Sequence, residues 1–253
     1  MEMKNSSNGS IAVVGMGPGS EIMMTQQAIQ TLEAADVIVG YTFYLELLGE
    51  RFAGKEQLTT PMKQEAERCR LAFGEAAKGK KVAMVCSGDA GIYGMASLMF
   101  EIKEELGPKA ADVDIAVIPG ITAASSGAAV LGAPLNHDFC VISLSDLLTP
   151  WELIEKRLRA AAGGDFAVAI YNPSSKKRHD YLKKACDILL ETVDPERPCG
   201  YVRSIGRDGE EYHTCTLAEL RETETDMFTT VFIGNSQSRI IDGRLITPRG
   251  YKL

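Results

Sequence analysis

Ile11-Ala12-Val13-Val14-Gly15-Met16-Gly17-Pro18-Gly19 is an apolar run that ends in a glycine-rich turn. The run Val82-Ala83-Met84-Val85 does the same, ending in Ser87-Gly88-Asp89-Ala90-Gly91-Ile92-Tyr93-Gly94. Short apolar runs bounded by turn signals read as buried strands, and clustered glycines mark places where backbone comes close to something. In open α/β sheets, ligands bind outside the carboxyl ends of the strands. The two turns therefore predict one shared crevice and a small-molecule ligand.

Working outward, Thr25 is placed to cap a helix over 26–35, and Val37-Ile38-Val39 reads as a short strand before Gly40-Tyr41. A helix is predicted over 64–78, with Ala66, Cys69, Phe73 and Ala77 near helical spacing and Lys78-Gly79-Lys80 as its stop. A strand over 82–86, a helix over 95–106 and a strand over 113–118 follow. This alternation argues for an α/β fold with a parallel sheet. Residues 123–131 form a small-residue helix, which suggests close packing against backbone or ligand. Beyond Gly132, apolar runs at 139–144, 166–171, 199–202 and 228–233 alternate with helical stretches at 150–162 and 176–191. Arg207-Asp208-Gly209-Glu210 reads as a hairpin turn, so the second half is expected to hold a mixed sheet. The expected organisation is a disordered start over 1–9, an N-terminal α/β domain over 10–119 and a C-terminal α/β domain over 120–253.

Composition narrows the function. The chain has 253 residues, 45% hydrophobic, which suits one large or two small domains. With 27 basic and 34 acidic residues the net charge is −7, so no global basic field for nucleic acid exists, and an anionic ligand needs a local basic cluster. The first ten residues are polar and no apolar stretch is long enough for a membrane span, so neither leader nor membrane attachment is expected. The six cysteines show no C-x-x-C spacing and read as reduced thiols of a cytoplasmic protein. The three histidines lack zinc-type spacing, and no bound metal is expected.

Gly15-x-Gly17-x-Gly19 with Asp36 invites a dinucleotide-binding reading. Asp36, however, precedes the strand at 37–39 and sits at the wrong end to reach a ribose. Pro18 also removes a backbone donor that a pyrophosphate would use. No G-x-x-x-x-G-K-[ST] occurs anywhere, which excludes a P-loop.

Gly15-Met16-Gly17-Pro18-Gly19, Gly88-Asp89 and Ile118-Pro119-Gly120-Ile121-Thr122-Ala123, occurring in that order, resemble the tetrapyrrole methylases. The resemblance runs from Ile11 to Tyr251. It implies two α/β domains with S-adenosylmethionine bound in the cleft between them and released as S-adenosylhomocysteine. Val39-Gly40-Tyr41, the stretch 87–96, His137-Asp138-Phe139, the stretch 142–151, Tyr171-Asn172-Pro173-Ser174-Ser175 and Ser204-Ile205-Gly206-Arg207 narrow it further. They are similar to the branch that methylates ring carbon C17 and contracts the macrocycle in corrin synthesis. Ala90 stands where most of the family has proline, as that branch does.

By the same resemblance, Pro18, Ser87, Gly88, Asp89, Ile92, Thr122, Ala123, Asn172 and Thr230 are the expected cofactor-binding residues. Tyr93, Ser145, Arg203 and Arg207 are expected to bind substrate, with Lys176, Lys177 and Arg178 as further cations for an anionic tetrapyrrole. Methyl transfer from a sulfonium needs alignment rather than a strong base. Ring contraction of a hydroxylated macrocycle needs a proton acceptor, for which Asp89, His137, Asp138 and Asp146 are candidates. A homodimer is expected. Methylation of another tetrapyrrole carbon, an RNA ribose methylase of the same fold and a non-catalytic binding module stay open, although a chain with pI about 5.2 advertises no basic face for RNA.

Overall fold

The computed structural model describes residues 9–175 and 177–252. The expected disordered start therefore lies outside the described residues except for Gly9, which is buried. A Cβ on Gly9 would stand 1.9 Å from the Ala76 carbonyl oxygen, so this residue is packed into the fold. Lys176 also lies outside the described residues. The chain divides into two compact units, the first ending at Thr122 and the second beginning at Ala123.

The first unit alternates β1 (Ser10–Gly15), α1 (Gln26–Ala34), β2 (Val37–Tyr41), α2 (Thr42–Leu47), β3 (Glu56–Thr60), α3 (Glu65–Ala76), β4 (Lys81–Cys86), α4 (Ala96–Leu106) and β5 (Asp114–Ile118). Its five strands form one parallel sheet in the order β3-β2-β4-β1-β5. Side chains alternate across a strand. Val82 and Met84 of β4 thus pack with Cys69, Phe73, Met99 and Ile102 of α3 and α4. Ala83 and Val85 pack on the other face with Ala28 and Leu32 of α1 and Leu45 of α2. Burial on both faces is why these strands read as continuous apolar runs. Thr25 caps α1 as expected, its Oγ1 accepting the Ala28 N–H at 3.0 Å.

The second unit holds α5 (Ala123–Leu131), β6 (Gly132–Ala133), β7 (Phe139–Ser143), α6 (Trp151–Gly163), β8 (Ala167–Tyr171), α7 (Tyr181–Leu189), β9 (Pro198–Arg203), β10 (Glu211–Thr216), α8 (Leu217–Arg221), β11 (Thr229–Ile233), β12 (Arg239–Ile241) and β13 (Arg244–Ile246). Five strands form a mixed sheet, β10-β9-β11-β8-β7, in which β7 and β8 are parallel and the other pairs antiparallel. Helices α6, α7 and α8 cover one face through Ile154, Leu158, Leu182 and Leu217. The small-residue helix α5 covers the other, and a Cβ on its Gly127 would stand 2.9 Å from the Phe232 ring. The hairpin β12–β13 joins β6 in a small third sheet.

Two sequence-based boundaries move. Helix α7 begins at Tyr181 rather than 176, because Ser175 and Arg178 close a turn through reciprocal backbone hydrogen bonds of 3.3 and 2.9 Å. Residues 120–122 go with the first unit, because Gly120 donates its N–H to Asp89 Oδ2 at 2.9 Å.

Candidate active site

Strands β4, β1 and β5 are neighbours and parallel, so the turns that follow them emerge side by side. Gly17 and Gly88 exchange two backbone hydrogen bonds, 3.0 Å from Gly17 N–H and 2.7 Å from Gly88 N–H. Both glycines hold positive φ, +76° and +68°. The third turn closes on this pair: a Cβ on Gly120 would lie 2.1 Å from the Gly88 oxygen and 2.6 Å from the Gly15 carbonyl carbon. Asp89 fastens the assembly. One carboxylate oxygen accepts the Gly91 and Ile92 N–H groups at 2.7 and 3.1 Å, and the other accepts Gly120 N–H.

The crossover from β1 leads to α1 on one face, and that from β4 leads to α4 on the other. The β1/β4 boundary is therefore the topological switch point of the sheet, where an open α/β fold takes its ligand. Asp36 lies at the opposite end of the sheet, with Oδ2 accepting the Lys81 N–H at 2.7 Å. The dinucleotide reading fails for that reason.

Beside the second turn lies a pocket of about 180 Å³, lined by Tyr41, Tyr44, Met62, Glu65, Arg68, Ser87, Tyr93 and Met95, among others. Tyr93 takes φ +53°, a strained conformation for a residue with a Cβ, and is 56% exposed. Gly94 behind it leaves no room for a side chain, since a Cβ there would meet the Ala90 oxygen at 2.4 Å. Ile92 is likewise exposed, while Pro18 and Gly88 are buried and Ser87 and Thr122 half-buried. Sequence reading did not single out Arg68, which is 3% exposed. The signal was available: Arg68 shares the inward stripe of α3 with Cys69, Ala72, Phe73 and Ala76, where a charge is out of place.

In the second unit one sheet end gathers most of the remaining candidates. By register, Arg203 at the end of β9 pairs with Thr229 of β11, and Tyr171 at the end of β8 pairs with Ser143 of β7. Thr230 lies one residue along β11, buried. Asn172 follows β8 at φ +53° and donates from Nδ2 to Ser143 Oγ at 2.9 Å, an oxygen that also accepts Ser145 N–H at 3.2 Å. The Tyr171 hydroxyl accepts the Ala124 N–H at 2.7 Å, which brings the start of α5, with Ala123, to the same end.

Four expectations change. His137 and Asp138 precede β7 and lie at its far end, a strand length or roughly 15 Å from Ser143 at about 3.3 Å per residue. They are exposed, 3.8 Å apart, and do not join the other candidates. Asp146 is engaged: Oδ2 accepts the Tyr181 hydroxyl at 2.6 Å and Oδ1 meets Arg178 Nε at 2.5 Å. The Tyr181 hydrogen bond and the Arg178 charge hold its carboxyl below the usual range, which makes it a weak proton acceptor. Arg203 is answered by Glu211 at 2.6 Å and Asp226 at 3.5 Å, so it is not a spare cation for substrate. Asp89, with both oxygens bonded to backbone N–H groups, is a scaffold for the turns rather than a base. Arg207 stands beside the sheet end with its guanidinium 5.5 Å from the centre of the Phe228 ring.

Comparison with known proteins agrees with this geometry. The family model for tetrapyrrole (corrin/porphyrin) methylases matches residues 10–221. The probable cobalt-factor III C(17)-methyltransferase of Salmonella typhimurium is 46% identical over 245 residues, covering 96% of this chain and all of that protein. The precorrin-3B C(17)-methyltransferase of a Sinorhizobium species is 39% identical over 248 residues, covering 96% of this chain and 97% of that one. The crystal structure of the methyltransferase CobJ superposes with a TM-score of 0.88 at 39% identity, over 95% of this chain and 100% of its own. With glycine turns meeting at the switch point and a family match across both units, the chain belongs to the tetrapyrrole (corrin/porphyrin) methylases.

Proposed function

We propose that this chain methylates C17 of cobalt-factor III, with ring contraction, in corrin synthesis, using S-adenosylmethionine. The meeting of the three glycine turns around Gly17 and Gly88 carries the cofactor reading. Backbone that close, with the Ser87 hydroxyl beside it, offers the mixed donors and acceptors that a zwitterionic amino-acid tail and an adenine require. The higher identity to the cobalt-factor III relative, 46% against 39% for the precorrin-3B relative, favours the cobalt-containing substrate.

S-adenosylmethionine supplies a methyl already activated on a sulfonium, which C17 takes as S-adenosylhomocysteine leaves. The protein's part is alignment. Gly15, Gly88 and Gly120 let the three turns close on one another, Asp89 fixes the loop that carries Ile92 and Tyr93, and Pro18 and Thr122 wall the turns. Asn172, held by Ser143, gathers with Thr230 and Ala123 at one sheet end of the second unit, and these are the residues assigned to the adenosine by the family resemblance. Asp146, Arg178 and Tyr181 form a fixed polar cluster within the second unit. A cytoplasmic homodimer without nucleic acid or membrane attachment belongs to the same reading; among the described residues no helix is long and apolar enough to cross a membrane.

The test is methyl transfer from labelled S-adenosylmethionine, with cobalt-factor III and precorrin-3B offered side by side and product mass and absorbance recorded. Turnover of cobalt-factor III is expected. Turnover of precorrin-3B alone would refute the cobalt reading, and turnover of neither, with S-adenosylhomocysteine still bound, would refute the substrate. Asp89→Ala is expected to weaken S-adenosylhomocysteine binding at least tenfold by freeing the second turn; an unchanged dissociation constant counts against the cofactor site.

A further inference from the structure

Arg68 is a buried cation that no carboxylate among the described residues answers. Its guanidinium donates to the Thr60 and Pro61 carbonyls at 3.3 and 3.0 Å and to Met95 Sδ at 3.4 Å, and lies 5.8 Å from the centre of the Tyr41 ring. Its Nε–H has no acceptor among the described residues. The contrast is Glu75, the other buried charged residue among those described, which has both Lys78 and Lys80 at 2.6 and 2.8 Å. A buried charge is costly unless it is paired. A guanidinium carries five N–H groups in a planar fork that matches a carboxylate. Three have acceptors here, so two remain, Nε–H among them.

The pocket that Arg68 lines supplies the missing space. Tyr41, Tyr44, Met62 and Met95 give it walls for a short methylene chain, and Ser87 and Tyr93 connect it to the second turn. We infer that Arg68 is the receptor for a carboxylate arm of the substrate, an acetate or propionate side chain on an anionic macrocycle. This rests on the functional reading above and deepens it. A net charge of −7, with Arg203 and Arg178 already paired, leaves the substrate's acids in need of such a site. Glu65, exposed on the same pocket, opposes it electrostatically.

The test measures cobalt-factor III binding by absorbance titration and S-adenosylhomocysteine binding by calorimetry. Arg68→Gln is expected to raise the tetrapyrrole dissociation constant about 10- to 100-fold, the worth of hydrogen bonds to a charged group, with Arg68→Lys recovering part. S-adenosylhomocysteine affinity stays unchanged. Because Arg68 also ties down Thr60 and Pro61, two variants at exposed positions decide the matter if Arg68→Gln does not fold. Met62→Glu weakens tetrapyrrole binding, and Glu65→Gln tightens it. Unchanged binding in folded Arg68→Gln, or in both exposed variants, overturns the inference. Loss of S-adenosylhomocysteine affinity alone assigns the carboxylate to the cofactor and overturns it too. A wild-type chain that binds no tetrapyrrole removes the functional reading and this one with it, whereas binding indifferent to these variants removes this one only.

Discussion

Replacing Gly120 by alanine tests the meeting of the three turns. The added Cβ would stand 2.1 Å from the Gly88 oxygen and 2.6 Å from the Gly15 carbonyl carbon and oxygen. Optimal contact is about 3.5 Å, so the overlap with the Gly88 oxygen is about 1.4 Å, against backbone that cannot rotate away. Overpacking of this kind costs about 1–3 kcal/mol. Relief by moving Gly120 outward breaks its hydrogen bond to the Asp89 carboxylate, worth about 1.5–3 kcal/mol. Together these give about 2.5–6 kcal/mol, and at about 2–4 °C per kcal/mol for a chain of this size the melting transition falls by roughly 10 °C. Scanning calorimetry and S-adenosylhomocysteine titration read the effect. Gly91→Ala is the control, since its Cβ would meet only Asp89 Oδ1 at 3.3 Å. A Gly120→Ala protein that melts within 2 °C of wild type and binds S-adenosylhomocysteine undiminished would refute the convergence.

Gly74 lies exposed in α3 with nothing within 4 Å of a would-be Cβ, so Gly74→Ala should stabilise by about 0.5–1 kcal/mol, seen as a raised melting temperature. Lys78 and Lys80 hold the Glu75 carboxyl below its ordinary range, and the Tyr181 hydroxyl and Arg178 do the same for Asp146. Such depressed carboxylates contribute stability above their unfolded pKa and lose it as pH falls through the folded one. The melting temperature should therefore hold from pH 7 to about 5 and fall below about 4.5; Glu75→Gln should lower the plateau and flatten the acid limb, and an unaltered limb would refute the assignment. Burial pushes the thiols of Cys69, Cys186 and Cys215 up to about 12 and that of Cys86 up to about 11. At pH 8 these four should resist Ellman's reagent until the protein is unfolded, and rapid labelling of any of them in the native protein would contradict the packing.

The parallel sheet was legible because its strands are apolar on both faces, and the turns because a glycine's requirement is local. β3 was not, since Glu56-Gln57-Leu58-Thr59-Thr60 is a polar edge strand without an apolar run. The segments α2, α8 and β12–β13 are too short to show a period. In the site, Asp89, Ser145 and Asn172 were marked by the family resemblance, and each lies within three residues of a strand's end. What sequence cannot carry is partnership across register. Glu211 neutralises Arg203 only because β10 folds back on β9, and His137 falls at the wrong end only because β7 runs the way it does. Arg68 was hidden for a different reason: a charge in a helix reads as surface until the phase of its apolar neighbours is counted.

Gly120 is anchored at the end of β5, one of the two edge strands of its sheet, paired with β1 alone among the described strands. Outermost strands are the first to exchange their amide protons, because their opening frees the fewest neighbours. Opening here does more than expose one strand: it withdraws the third wall of the ligand cradle and releases Asp89 from Gly120. Whatever fills the cradle therefore slows solvent exchange along 114–120, by a factor that grows with free ligand concentration over its dissociation constant. The protection of a few peripheral amides becomes a direct gauge of occupancy at the centre of the sheet.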